Sequence, residues 1–271
     1  MSNNCYPSGK VANILDHEYN MSHKRRGRAL IFNNKYFEQQ QLPTREGTDV
    51  DSKSLGKILQ QLGFNVKEYT DLTSRAIIRK LNKVGSRDHS ECDCILIAIL
   101  SHGKMGSIQA KDTDYPLESI LSPFKPERCS TLAGKPKLFI IQACQGDHKD
   151  PGHYLLEPCC TAGDNESFMS YRIPLHADFL IAFSTIPGYC SWRNTVEGSW
   201  FIKSLCEELS ACGTTRDILT LLTFVAQRVA FNYESFHPID VSLHQKKQIT
   251  CTMSTLTRIL YFRDNGEADN E

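Results

Sequence analysis

The sequence predicts an α/β domain built on a largely parallel sheet. Three observations carry that reading. Short apolar runs rich in Ile, Leu and Phe recur along the chain, as strands covered on both faces do. Segments with helical period lie between them. The two kinds of segment alternate, which implies βαβ units rather than a hairpin-built sheet.

Taken in order, the chain opens with a polar stretch, residues 1–28, that ends in the basic cluster Lys24, Arg25, Arg26 and Arg28. Ala29–Phe32 is the first expected strand. Leu55, Ile58, Leu59 and Leu62 then fall at i, i+3, i+4 and i+7, a helix opened by Thr48 and closed by Gly63. Ile77, Leu81 and Val84 repeat the pattern after Thr73. Strands are expected at Ile95–Leu100, Leu138–Ala143 and Phe179–Phe183. Between the last two, residues 147–172 have no sustained period and hold Pro, Gly, Asp, Asn and Ser. A loop of that length inside a domain is functional or disordered. Phe201, Leu205 and Leu209 mark a further helix. Ile218, Leu221, Leu222, Val225 and Val229 mark another, preceded by Thr214 and Thr215. Leu256–Phe262 is the final strand candidate.

Composition excludes several functions. The 271 residues suit one large domain or two small ones. Lys and Arg number 31 against 31 Asp and Glu, too balanced for a nucleic-acid binder held by phosphate contacts. The longest apolar run, Cys94 to Leu100, falls far short of the roughly 18 residues that a membrane span needs. The start, MSNNCYPSGK, lacks the apolar core of a signal peptide. The eleven cysteines, odd in number and irregularly spaced, are therefore expected as thiols in a reducing, cytoplasmic setting. No metal site is expected. Cys92 and Cys94 have no second ligating pair and read as one face of a strand, while Cys159 and Cys160 with His153 read as exposed, oxidisable thiols rather than ligands. The Lys24–Arg28 cluster reads as a solvated charge run in preference to a nuclear or recruiting signal. No phosphate-binding glycine loop is present, so no nucleotide cofactor is expected.

Chemistry is expected beyond the carboxyl ends of the strands. Strand 95–100 runs into Ser101-His102-Gly103, and strand 138–143 into Cys144-Gln145-Gly146. A cysteine nucleophile needs a thiolate, and an imidazole close by supplies it and later protonates the leaving amine. Gly103 lets the backbone approach a substrate, and its N–H with that of Cys144 suits a developing oxyanion. A buried structural Cys and a merely hydrogen-bonded His remain the alternative on these residues alone.

Gln142-Ala143-Cys144-Gln145-Gly146, with a His upstream, resembles the caspase signature. So do Thr44-Arg45-Glu46-Gly47-Thr48-Asp49-Val50-Asp51, Lys135-Pro136-Lys137-Leu138-Phe139-Ile140-Ile141, Tyr189-Cys190-Ser191-Trp192-Arg193-Asn194, Gly198-Ser199-Trp200-Phe201 and Lys246-Lys247-Gln248-Ile249. The similarity spans roughly residues 19–263 and is closest to the executioner branch. It implies a three-layer sandwich, with about six strands and helices on both faces. It also implies an endopeptidase cutting proteins after Asp, made as a zymogen and acting in apoptosis. His102 and Cys144 would be catalytic, with Gly103 at the oxyanion. Arg45, Gln142 and Arg193 would line the P1 pocket with Ser101 beside them, Trp192 would wall the P2 pocket, and Asn194 and Trp200 would flank P4. Two arginines and an amide make a socket for a carboxylate. The group orienting His102 would be the main-chain carbonyl of Pro43. An inactive homologue that regulates an active partner is the alternative, disfavoured because the whole residue set is retained. An initiator would need a recruitment domain ahead of the first strand.

The pattern departs from the family at Gln145, where Arg is common, at Cys190, where an aromatic residue is common, and at Phe236–Val241, which shapes P4 recognition. Activation is expected by cleavage in the 147–172 linker after Asp164, with weaker trimming after Asp16. That divides the chain into a propeptide 1–16, a large subunit 17–164 and a small subunit 165–271. Asp150 is followed by Pro151, and Asp147 lies close to the nucleophile, so neither is favoured. The expected partners are protein substrates, an upstream initiator protease, inhibitor proteins, and a second copy paired through residues 251–262.

Overall fold

A computed structural model describes residues 16–39, 42–152 and 176–263. Asp164, Cys159, Cys160 and His153 lie outside the described residues, as does the propeptide apart from Asp16.

The alternation of elements builds one main sheet. Its strands are β1 (Arg25–Asn33), β2 (Asn65–Thr70), β3 (Cys92–Leu100), β7 (Lys137–Gln142), β8 (Phe179–Phe183) and β11 (Cys251–Ser254). Among the described residues six strands form it, in the order β11-β8-β7-β3-β1-β2. All neighbours run parallel except β11, which pairs antiparallel with β8. A small hairpin sheet of β4 (Gly103–Lys104), β5 (Ser107–Gln109) and β6 (Asp114–Pro116) follows β3, and β9 (Arg193–Asn194) pairs with β10 (Gly198–Ser199).

The central strands are apolar at nearly every position because both faces are covered. Ala29, Ile31, Leu96, Ala98, Leu138 and Ile140 face one core, shared with helices α1 (Thr48–Gln61), α4 (Trp200–Cys212) and α5 (Ile218–Asn232). Leu30, Phe32, Ile95, Ile97, Phe139 and Ile141 face the other, shared with α2 (Ser74–Gly85) and the short α3 (Glu118–Leu121). This is a three-layer sandwich. The helical stripes are what bury: Leu55, Ile58 and Leu59 of α1, and Ile77, Leu81 and Val84 of α2, each contributing about 2 kcal/mol by area removed from water.

The structure corrects several expectations. The final strand is Cys251–Ser254, not Leu256–Phe262; Leu260 and Phe262 are buried in the first core instead. The Lys24–Arg28 cluster is not simply solvated. It enters β1, and Arg26 is buried, pairing with Asp93 at 3.1 Å and donating through Nε to the Leu62 carbonyl. Thr48 does not cap α1. The cap is Gly47, at φ 82°, and a Cβ there would meet the Asn194 carbonyl at 2.5 Å. Asp217 rather than Thr214 or Thr215 caps α5, accepting from the Leu219 and Thr220 N–H groups. Strand β2 and the β4–β6 hairpin had no clear signal: β2, NVKEYT, is a half-exposed edge strand and lacks the apolar run. Part of the 147–172 stretch is tied down, since His148 bridges Tyr189 and Asp150 bridges Lys247.

Candidate active site

Register brings the two candidate catalytic residues to neighbouring strand ends. In the β3–β7 pair Leu100 lies opposite Gln142, and the Ser101 N–H donates to the Gln142 carbonyl at 3.0 Å. Two residues further along neighbouring parallel strands stand His102 and Cys144. Gly103 packs against the second segment: a Cβ there would lie 3.0 Å from the Cys144 carbonyl oxygen and 3.1 Å from the Ala143 Cβ. Absence of a side chain is what allows this approach.

His102 Nε2 is 2.8 Å from the Pro43 carbonyl, and its ring centroid is 4.8 Å from that of Phe37. A carbonyl only accepts, so Nε2 carries the proton and neutral His102 keeps Nδ1 as its basic atom. Burial pushes the imidazole down to about 4; the Pro43 bond opposes it, and the charges of Arg45 and Arg193 add smaller downward effects. The ring is neutral at physiological pH.

Cys144 is half-buried, and its thiol is shifted downward. The largest cause is a hydrogen bond with the Cys190 thiol. The Ser191 N–H, 3.3 Å from Sγ, and the charges of Arg45 and Arg193 add to it, and burial opposes it. Cys190 is shifted upward in turn, first by its bond with Cys144. The opposite shifts favour ionisation at Cys144 over Cys190.

Arg45 follows β1 and is wholly buried. Its Nη1 donates to the Asn34 carbonyl at 3.0 Å and to Thr48 Oγ1 at 2.6 Å. Among the described residues its Nε and Nη2 have no hydrogen-bond partner, nor does Gln142 Oε1. Burial and then the charge of Arg193 push the guanidinium down to about 9, still cationic near neutrality. Arg193 is held by its Nε donating to the Glu46 carbonyl at 2.7 Å. A buried cation with two unmet donors is costly unless an anion satisfies it. Gln142 Nε2 donates to Ser191 Oγ at 2.8 Å, linking the β7 end to the 189–194 segment. Ser101 is buried, and its hydroxyl donates inward to the Gln109 carbonyl.

Trp192, Trp200 and Tyr233 form a stack, with ring centroids 5.9 Å and 5.4 Å apart. Trp192 N–H donates to Gln248 Oε1 at 2.6 Å, and Gln248 Nε2 to the Ser184 carbonyl at 2.7 Å. Asn194 is exposed, and its Oδ1 accepts from the Val196 and Glu197 N–H groups, so the side chain braces its own turn.

Asp51, Gln248 and Ser191 lie in segments that resemble the family, but the sequence assigned none of them a role. Asp51 is buried, accepts from the Ser199 N–H at 2.7 Å and is pushed up to about 6, chiefly by burial. Gln248 stands 56 residues from Trp192. No local pattern announces contacts of that span.

A family model described as Caspase domain matches residues 26–261. Caspase drICE of Drosophila melanogaster is 56% identical over 247 residues, covering 91% of this chain and 73% of that protein. Caspase-3 of Felis catus is 41% identical over 249 residues, covering 92% of this chain and 88% of that protein. The crystal structure of Caspase-1 from Spodoptera frugiperda superposes with a TM-score of 0.87 at 48% identity, covering 98% of this chain and 99% of that one.

Proposed function

The chain belongs to the caspase family, and from that premise we propose how its site performs cysteine-type peptide hydrolysis. The protein is an executioner-type caspase, a protease acting in apoptosis. The observation that carries our reading of specificity is Arg45: buried, cationic, with two unmet N–H donors beside the Cys144–His102 pair. A P1 Asp carboxylate satisfies those donors, with Arg193 and Gln142 completing the socket and Ser101 buttressing it from behind. Trp192 walls P2, and Trp200 and Asn194 shape the P4 side, Asn194 through its turn.

In this mechanism His102 Nδ1 takes the Cys144 thiol proton as the sulfur attacks the carbonyl carbon after Asp, and passes it on to the leaving amine. The oxyanion is received by the Gly103 and Cys144 N–H groups. The carboxylate also changes the histidine. Arg45 and Arg193 depress His102 in the free enzyme. Neutralising them with the P1 carboxylate raises its basicity when a proton is needed for the leaving amine. Water then hydrolyses the thioester. Substrate recognition and acid catalysis are thereby coupled through the same two arginines.

The family implies protein substrates cleaved after Asp and a dimeric protease. We assign the dimer contact to β11, the sheet edge, where Met253 is 57% exposed. Residues 1–16 serve as propeptide, 17–164 as large subunit and 165–271 as small subunit, with cleavage at Asp16 and Asp164. Cys144 then lies on one product and Arg193 on the other. An upstream initiator protease is the proposed activator, inhibitor proteins the proposed regulators and the cytoplasm the proposed setting. Among the described residues no helix is long and apolar enough to cross a membrane.

Fluorogenic tetrapeptides with P1 Asp, Asn, Glu or Lys test the reading. Hydrolysis confined to Asp is expected; efficient cleavage after Asn or Lys would overturn the socket.

A further inference from the structure

We propose that Cys144 and Cys190 are an oxidative modification pair, closing to a disulfide when the enzyme meets a hydroperoxide and reopening with a dithiol. This rests on Cys144 being the nucleophile and adds a regulation of that site.

The argument begins with how the backbone presents Cys190. Gln145 N–H donates to the Tyr189 carbonyl and Gly188 N–H to the Gln145 carbonyl, each at 3.0 Å. Cys190 N–H donates to the His148 carbonyl at 2.9 Å. Gly146 completes the clamp, since a Cβ on it would lie 2.3 Å from the Gly188 carbonyl. Segments 144–148 and 188–191 are thus laced side by side. Ser191, next to Cys190, has its N–H 3.3 Å and its carbonyl 3.9 Å from the Cys144 sulfur. The Cys190 thiol donates to the Gly146 carbonyl at 3.5 Å, on the segment that carries Cys144. Both sulfurs belong to half-buried residues. Most other described cysteines sit elsewhere in the fold, Cys94 and Cys129 among them buried in the two cores.

Chemistry follows from this placement. Arg45, Arg193 and the Ser191 N–H favour the Cys144 thiolate, the form that reacts with peroxides. The thiolate attacks one peroxide oxygen, the O–O bond breaks, and Cys144 becomes a sulfenic acid as water or an alcohol departs. The Cys190 sulfur then attacks the Cys144 sulfur. The S–S bond forms, the S–O bond breaks, and the leaving hydroxide takes the Cys190 proton as water. In sum, two thiols and one hydroperoxide give one disulfide, one water and one water or alcohol, a two-electron oxidation. The nucleophile is silenced, yet kept from the sulfinic acid that a dithiol cannot reverse.

The test uses the reduced, mature enzyme treated with hydrogen peroxide, blocked with iodoacetamide and digested without reductant. Mass spectrometry should find a cross-linked peptide containing Cys144 and Cys190. Hydrolysis of the Asp peptide should fall with its appearance and return with dithiothreitol. In Cys190→Ala, each rate being taken relative to that variant's own untreated rate, recovery should be at least about tenfold lower, because Cys144 proceeds to the sulfinic acid. Absence of the cross-link, pairing of Cys144 with a different thiol, or equal recovery in the variant would each overturn the proposal. The cross-link is read by mass. An inactive protein that still forms it would therefore sink the protease reading, and with it the regulatory role, while leaving the thiol pairing intact; an active enzyme without it would overturn the pairing alone.

Discussion

The imidazole of His102 is fixed by the main chain of Pro43, Nε2 to carbonyl oxygen at 2.8 Å, with no side chain among the described residues hydrogen-bonded to the ring. Its tautomer is therefore insensitive to the side chain at 43. His102→Ala should lower kcat/KM by about 10²–10⁴, whereas Pro43→Ala should stay within about fivefold of the native rate, since the carbonyl survives. Cys144→Ala should abolish turnover with the unfolding midpoint nearly unchanged. Steady-state kinetics on the Asp peptide checks all three. Retention of a tenth of native activity in the His102 or Cys144 variant would contradict the roles assigned to them.

Recognition of the P1 side chain should depend on charge. Replacing Asp by Asn in the peptide should cost at least about 3 kcal/mol of transition-state binding, because buried cationic donors lose their partner. Arg45→Glu or Arg193→Glu should remove the preference for Asp altogether, since a carboxylate would then face a carboxylate. Comparable kcat/KM for the Asp and Asn peptides on the native enzyme would refute this.

Acid should destabilise the fold partly through His102. The ring titrates at about 4 in the native state against an ordinary value of 6.5, so across that window the unfolded chain binds the extra proton. Stability falls as pH drops from 6.5 to 4 and is fully present above 6.5. Allowing for partial solvent access, this contributes roughly 1–2 kcal/mol. Asp51, raised to about 6 by burial, acts in the opposite sense, since protonation relieves its buried charge. A comparison with His102→Gln isolates the histidine. Denaturant midpoints at pH 7 and pH 5 should converge for the variant; an equal drop in both proteins would contradict the shift.

Cleavage after Asp164 should release a small fragment beginning at Asn165. N-terminal sequencing of the activated protein reads this directly. A fully active single chain, or a fragment starting elsewhere, would remove Asp164 from the assignment.

Pairing of two copies through β11 should be lost on placing charge at its exposed position. Met253→Lys should shift the cleaved enzyme from dimer to monomer by light scattering at micromolar concentration, because Met253 is exposed on a strand that, among the described residues, ends the sheet. A native protein that is monomeric under those conditions would refute the contact.

The sequence by itself determined the layering and the position of the chemistry. Runs such as Ile95–Leu100 and Leu138–Ile141 read as strands buried on both faces, and His102 and Cys144 follow directly from them; that these two carry the chemistry is what the resemblance to the caspase signature implies. The stripes of α1, α2, α4 and α5 were equally legible, since helical period is a local property. What only the tertiary structure decided depends on contacts between distant segments. The half-exposed β2 has no periodic signature and exists because β1 offers it an edge. Leu256–Phe262 has strand composition, but β8 pairs with Cys251–Ser254, and Leu260 and Phe262 find their burial in the core. Arg26, read from its neighbours as solvated, is buried because Asp93 on the adjacent strand neutralises it. The lowered thiol of Cys144 and its contact with the Ser191 N–H arise where two loops, more than forty residues apart in sequence, are hydrogen-bonded along their backbones. Motif spacing locates a nucleophile, but its charge state is set by neighbours that folding alone supplies.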